Sequence, residues 1–307
     1  MKHIVLPRRS STRPSITVVI PCYNYGHFLP AAVDSVLSQD GVDPRVIIVD
    51  DASPDGSGDV AEEIGRAERR VRVLRHERNA GHIQTYNDGL GLVETDYVSL
   101  VSADDVISPG SLGRATALME RYPDVGLVYG SISTFSDDAD PRPTRNRRYH
   151  LWRIWGGDEW IEGVATSGYN PIASPEAVVR TTAMNEIGLY NPALPHSGDL
   201  EYWLRIAARW KIGQIHGPIQ AHYRVHGGNM HLNDFGTVEA DLREREAAFR
   251  VLLDPATVQA LPTAHARFTQ ARHALARQAH EALAAGGVAD TPQRAELQSL
   301  RDEFRGS

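Results

Sequence analysis

The chain contains a single cysteine, Cys22, in 307 residues. That excludes an intramolecular disulfide and any zinc site built on cysteine, and it points to a reducing compartment, with the cytoplasm as the default. No run approaches the roughly 18 to 20 apolar residues that a membrane span needs. Residues 1–14 are basic and carry Pro and Ser without the apolar segment of a signal peptide, so they are expected to form a flexible lead. Positive charge is also in deficit. The 32 Lys and Arg against 39 Asp and Glu give a net charge of −7, which argues against a protein that wraps nucleic acid by neutralising phosphates. What is present is ordinary globular composition, 41% hydrophobic and 23% charged, with ample apolar material for a core. The length suits one large or two modest domains.

The pattern along the chain alternates strands with helices. Residues 15–20 are a β-branched run closed by Pro21, as expected of a buried parallel strand. In 28–39, Phe28, Ala32, Val33, Val36 and Leu37 share one helical face, and 45–49 follow as a strand ending at Asp50 and Asp51. The cycle repeats with a helix over 59–69, a strand over 71–75, a helix over 83–92 and a strand over 97–102 that ends at Asp104 and Asp105. A helix over 111–121 and a strand over 125–133 come next. Residues 137–148 read as a mobile basic loop, followed by Trp152, Trp155 and Trp160. Helical patterns at 174–187 and 198–210 precede a strand ending over 223–226, and from 233 onward the sequence looks helical, broken near Pro255 and 286–287. There is no internal repeat. The fold class that follows is α/β, with a mostly parallel central sheet covered by helices on both faces and a C-terminal helical appendage.

In such sheets ligands collect beyond the carboxyl ends of the strands. Two acidic pairs, Asp50 with Asp51 and Asp104 with Asp105, fall at that edge. Crowded carboxylates repel unless a cation or donors compensate, and Mg²⁺ or Mn²⁺ take oxygen ligands while leaving positions for substrate phosphates. The bland reading makes them turn and N-cap residues, which suits one pair better than two pairs at equivalent strand ends.

These residues resemble the family-2 glycosyltransferases, inverting nucleotide-sugar enzymes with the GT-A fold. The resemblance rests on Pro21, Tyr23 and Asn24 after the first strand; on Asp50, Asp51, Ser53, Asp55, Gly56 and Ser57; on Arg78, Asn79 and Gly81; on Asp104 and Asp105; and on Asp199, Glu201, Trp203, Leu204 and Arg205. These spots occur in the family's order and cover roughly the first three quarters of the chain. The resemblance implies one glycosyltransferase domain over 15–232, with a nucleotide-binding half over 15–135 and an acceptor-binding half over 136–232, followed by a helical region over 233–307. It implies that Pro21, Tyr23 and Asp51 contact the nucleobase, with uridine the best fit. It places Asn79 and Gly81 where backbone approaches the nucleotide, with a plain turn as the alternative. It makes Asp104 and Asp105 the metal- and ribose-binding motif for Mn²⁺ or Mg²⁺, with Ser102 where many relatives carry a third carboxylate. It makes Asp199 the general base, Glu201 the second choice, and His226 a candidate at the metal or diphosphate. Trp203 and Leu204 read as core, and Arg205 as a structural ion pair.

The reaction so implied is a single displacement at the anomeric carbon: an acceptor hydroxyl loses its proton to Asp199 and the nucleoside diphosphate departs. The donor is a nucleotide sugar, a UDP-sugar by preference, and the acceptor a glycan or lipid-linked molecule of cell-surface polysaccharide or glycolipid synthesis. Acceptor contacts are sought in 137–160, with Arg148, Trp152 and Trp155 as candidates against a solvated loop and core tryptophans. Arg267, Arg272 and Arg277 among alanines could dock on the inner face of an anionic membrane, though oligomer packing or a cap on the fold is preferred. His265, His273 and His280 are read as a solvated or packing face. A Rossmann dehydrogenase is excluded, because the first strand is not followed by Gly-x-Gly-x-x-Gly. A sugar nucleotidyltransferase lacks its basic glycine-rich loop. A non-catalytic nucleotide- or sugar-binding module stays open as the non-enzyme alternative.

Overall fold

The computed structural model describes residues 3–7, 13–136, 151–227, 237–285 and 291–305. Two compact units emerge, each assembled from separate stretches. The first comprises Met1–Trp155, Ile172–Tyr190 and Trp210–His226; the second comprises Gly156–Pro171, Asn191–Arg209 and Gly227–Ser307. The division therefore does not fall at residue 232 alone, because 156–171 and 191–209 group with the C-terminal helices.

The first unit is built on parallel strands β2 (Ser15–Cys22), β3 (Asp43–Asp50), β4 (Val71–Arg75) and β5 (Tyr97–Leu100). β2 pairs in parallel with β3 on one side and β5 on the other, and β3 pairs with β4. Ile16, Val18, Val19 and Ile20 are fully buried, which is why the run is continuously β-branched rather than alternating. Helices α1 (Leu29–Leu37), α2 (Ser57–Ala67) and α3 (His82–Leu90) are the crossovers, and α4 (Ser111–Arg121) follows the short strand β6 (Val106–Ile107).

Beyond β5 the sheet changes character. β7 (Val125–Tyr129) and β8 (Ile132–Ser136) replace the single strand expected over 125–133, because Gly130 turns the chain where a Cβ would meet Gln220 at 2.5 Å. The helix expected over 174–187 is a tight turn (Ser174–Glu176), a strand β10 (Val178–Arg180) and a short helix α6 (Thr181–Ile187). Tertiary pairing overrides the local pattern there: Val178 and Val179 fill the gap between β5 and β7, antiparallel to both.

Strands β9 (Leu151–Trp155) and β11 (Lys211–His216) were not visible in the sequence pattern. β11 pairs in parallel with β7 and antiparallel with β9. The expectation of a flexible lead fails at His3–Val5, which form strand β1 on the open edge of β9. An edge strand with unpaired backbone groups is a ready template for such an addition. Among the described residues the sheet order is β1-β9-β11-β7-β10-β5-β2-β3-β4, and β12 (Ala221–Val225) lies between β6 and β8 in a smaller sheet.

The second unit is helical: α5 (Gly157–Ser167), α7 (Gly198–Ala207), α8 (Val238–Phe249), α9 (Pro255–Ala260), α10 (Ala264–Ala284) and α11 (Thr291–Arg305). Leu200, Trp203, Leu204, Phe249, Leu275 and Leu300 are buried in it. Among the described residues no helix is long and apolar enough to cross a membrane.

The arginines that could have formed a membrane face are engaged inside this unit. Arg267 pairs with Asp158 at 2.8 Å, Arg277 donates to the Thr166 carbonyl at 2.9 Å, and Arg272 donates to the Glu303 carbonyl and lies over Phe268 and Phe304. His265, His273 and His280 lie on the exposed face of α10.

Candidate active site

β2, β3 and β5 run in parallel, so their carboxyl ends and the loops that follow share one edge of the sheet. The first two loops are stitched together. Asp51 N–H donates to the Cys22 carbonyl at 2.9 Å, Asn24 N–H to Ser53 Oγ at 3.0 Å, and Gly26 N–H to Ser57 Oγ at 2.7 Å. A Cβ on Gly26 would meet Ser57 Cα at 2.6 Å, so the approach depends on glycine. Asn24 and Ala52 hold φ of 62° and 55°, a region non-glycine residues seldom occupy, and both lie in these loops. Asp55 accepts from the backbone and hydroxyl of Ser57, which fixes the start of α2; burial raises the Asp55 carboxyl, and the hydrogen bonds from Ser57 together outweigh it and hold it below its ordinary range.

Asp51 is buried and occupied. Its Oδ1 accepts from Ala80 N–H at 2.7 Å and faces His76 Nδ1 at 2.8 Å, and its Oδ2 accepts from Gly81 N–H at 2.9 Å. Burial alone would raise its pKa; the donors of Ala80, His76 and Gly81 outweigh burial and lower it. The carboxylate so anchors the turn 79–81, where Asn79 Oδ1 also accepts from Gly81 N–H at 3.1 Å. Gly81 has φ of 84°, and a Cβ there would find nothing within 4 Å, so backbone conformation rather than crowding demands glycine. β2 runs on through Pro21, the residue expected to close it, to Cys22, and Tyr23 stands 45% exposed just beyond it. Cys22 is buried, and burial pushes its thiol up to about 12, which removes it as a nucleophile.

Asp104 and Asp105 follow β5 and are 6% and 1% exposed. Asp104 Oδ2 lies 3.0 Å from His226 Nε2, so residues 122 positions apart meet at the acidic motif. Asp105 Oδ1 accepts from the backbone N–H of Arg224 at 2.9 Å, while its buried Oδ2 has no hydrogen-bond partner among the described residues. Burial and the neighbouring Asp104 charge push the Asp105 carboxyl well above its ordinary range. The Arg224 guanidinium sits between the rings of Phe28 and Phe135 at 4.4 and 4.3 Å, and its Nε donates to the Asp104 carbonyl at 2.9 Å. It props the backbone of the motif.

Other expected residues are placed differently. Asp199 lies in the first turn of α7, in the second unit. Glu201, the second choice for the base, is 4% exposed and held by Arg205 at 2.8 and 2.9 Å, a structural ion pair that takes both carboxylate oxygens. Burial raises its pKa and Arg205 opposes. Trp152 is 2% exposed and belongs to the core, so it offers no ring to a sugar. Trp155 is half-buried on β9 under the Arg153 guanidinium at 5.1 Å, with Nε1 donating to Gln214. Arg148 lies outside the described residues.

Two contributors were not anticipated, His76 at Asp51 and Arg224 at the acidic motif. Arg224 sits two residues before His226, so the segment that suggested His226 held that signal as well.

The family model described as "Glycosyl transferase family 2" matches residues 17–171, and the chain belongs to that family. "Glycosyltransferase GlyG" of Streptococcus pneumoniae serotype 4 is 36% identical over 125 residues, covering 41% of each chain. Across the first three curated relatives it matches, the chain spans 31% to 66% of their length. Among solved structures, S. aureus TarS 1-349 in complex with UDP-GlcNAc is similar at TM-score 0.69 and 16% identity, covering 94% of this chain and 80% of that one. The mannosyltransferase PcManGT from Pyrobaculum calidifontis, in complex with GDP-Man and Mn²⁺, is similar at TM-score 0.57 and 19% identity, covering 98% and 84%. The fold is GT-A-like, with parallel central strands and a C-terminal helical part.

Proposed function

We propose that the chain transfers a sugar from a nucleotide-sugar donor, a UDP-sugar by preference, to an acceptor hydroxyl with inversion at the anomeric carbon. The observation that carries this reading is the meeting of Asp104, Asp105 and His226, in which two buried carboxylates crowd together and one oxygen is left without a hydrogen-bond partner among the described residues. Among the described residues no three His, Cys, Asp or Glu side chains form a ready-made metal cage. Two carboxylates and an imidazole nevertheless suit Mg²⁺ or Mn²⁺, which retain positions for phosphate oxygens and water. A cation held by these residues would offset the charge of the departing diphosphate.

The chain's own groups supply the rest. Tyr23 offers an exposed ring beside the loop of Asp51, and Asp51 supplies a carboxylate acceptor for a base N–H. Asp199, matched to the family's base, takes the proton of the acceptor hydroxyl, a contribution of about 10² to 10⁴ in rate. That TarS was solved with UDP-GlcNAc, and PcManGT with GDP-Man and Mn²⁺, supports the donor class and the cation. The acceptor is a glycan or lipid-linked molecule of cell-surface polysaccharide or glycolipid synthesis, and the single buried cysteine favours a cytoplasmic setting.

The test is nucleoside diphosphate release from a panel of α-linked UDP-sugars with Mn²⁺, water standing in for the acceptor, with proton NMR of the freed sugar. The β anomer should appear first, and Asp199→Asn should slow release at least 100-fold. Release of the α anomer first would contradict inversion, and an undiminished Asp199→Asn would remove the base.

A further inference from the structure

The turn at Asp51 has a second support. His76 follows β4, and its side chain, 12% exposed, spans two carboxylates: Nδ1 is 2.8 Å from Asp51 Oδ1 and Nε2 is 3.1 Å from Asp88 Oδ2 on α3. The contact with Asp88 is an ion-pair approach without hydrogen-bond alignment. The backbone N–H of His76 donates to the Asp50 carbonyl at 2.9 Å, which pins the residue to the end of β3. Asp88 is itself fixed, accepting from Gln84 Nε2 at 2.8 Å. A chain of contacts thus runs from α3 through the imidazole to the carboxylate at the nucleotide loops.

The count of acceptor positions on Asp51 gives this chain its meaning. A carboxylate offers about four lone-pair positions. His76 and Ala80 use Oδ1, and Gly81 uses one position of Oδ2, so a single acceptor position is left. We infer that His76 is a positioning residue for base selectivity: by filling Oδ1 and locking the carboxylate, it leaves Asp51 one acceptor on Oδ2 that receives a base ring N–H and repels an unprotonated ring nitrogen. Uracil, with its N3–H, fits such a position, and cytosine, whose N3 carries only a lone pair, does not. Without the imidazole the carboxylate can turn, and an oxygen can then meet the exocyclic amino group of cytosine as readily as the ring N–H of uracil, so discrimination is lost. This inference rests on reading the site as a nucleotide site.

The experiment is calorimetric titration of the full chain with UDP, CDP and inorganic pyrophosphate in Mn²⁺. Wild type should prefer UDP over CDP at least tenfold. His76→Gln should weaken UDP about tenfold and bring the UDP-to-CDP ratio close to one, with pyrophosphate binding unchanged. Asp88→Ala, on the half-exposed outer end of the chain of contacts, should move the same ratio about two- to threefold, and its melting temperature together with that of His76→Gln reports on folding. Equal weakening of UDP, CDP and pyrophosphate would make His76 merely structural and overturn the inference, as would an unchanged ratio. If wild type binds no nucleoside diphosphate, the donor reading itself falls and takes the inference with it; UDP binding with an indifferent His76→Gln removes the inference alone.

Discussion

The two units treat buried charge in opposite ways. In the helical unit the buried Glu201 and Glu246 and the partly exposed Asp241 each have an arginine to hand. Glu201 has Arg205 at 2.8 Å, Asp241 has Arg245 at 2.5 Å, and Glu246 has Arg250 at 2.8 Å, all at i,i+4 spacing along a helix. In the sheet unit Asp104 and Asp105 are similarly buried but crowd each other, Asp104 facing the His226 imidazole at 3.0 Å and Asp105 the backbone N–H of Arg224 at 2.9 Å. The Asp50 carboxylate is fully buried, has no hydrogen-bond partner among the described residues, and has Arg75 no closer than 3.7 Å. Paired charge serves the fold. Carboxylates crowded at a strand edge stabilise nothing by themselves and suit a ligand that brings positive charge.

The comparison is broken most severely by removing one partner of a pair in the helical unit. Arg205→Met should cost about 3 to 5 kcal/mol in chemical denaturation, because Glu201 is left buried and unpaired, and Glu201→Met in that background should recover most of it. Glu176 is the next test. It lies in the sheet unit and accepts only from backbone, Gly130 N–H at 3.2 Å and Ala173 N–H at 3.3 Å. Burial raises it from 4.5 to about 7. The folded state therefore holds this proton where the unfolded chain has lost it. Stability should fall as pH rises from about 4.5 to about 7, by up to about 3 kcal/mol, and Glu176→Gln should flatten that part of the profile.

Arg267→Ala, breaking a partly exposed pair with Asp158, should cost about 1 kcal/mol. Smallest of all, Asp105→Asn should change stability by less than about 1 kcal/mol or raise it, since an amide relieves the repulsion with Asp104. A large loss there would mean that Asp105 is a structural charge like Glu201.

Much of the sheet unit was legible because its strands are buried on both faces and its crossovers are local. The β-branched run at 15–20 and the acidic ends of β3 and β5 could be read directly. β10 could not, since Val178 and Val179 take extended structure only because β5 and β7 leave a slot for them. β9 and β1 were hidden for a similar reason, each being defined by its neighbour and not by its own pattern. At the site, Asp51, Asp104, Asp105 and His226 stood out by type and position. The partnership of Arg224 with Asp105 spans 119 residues, and that of His76 with Asp51 spans 25. No local pattern encodes either. Trp152 and Glu201 misled because an aromatic or acidic side chain looks the same in sequence whether it faces solvent or the core.

The central claim is that the buried carboxylates of the sheet unit await a cation and a nucleoside diphosphate. Calorimetric titration of the full chain with UDP, in Mn²⁺ and then in chelator, repeated on Asp105→Asn, addresses it directly. UDP binding should need the metal and fall at least 100-fold in the variant, with the fold intact. UDP binding indifferent to both chelator and substitution would contradict it.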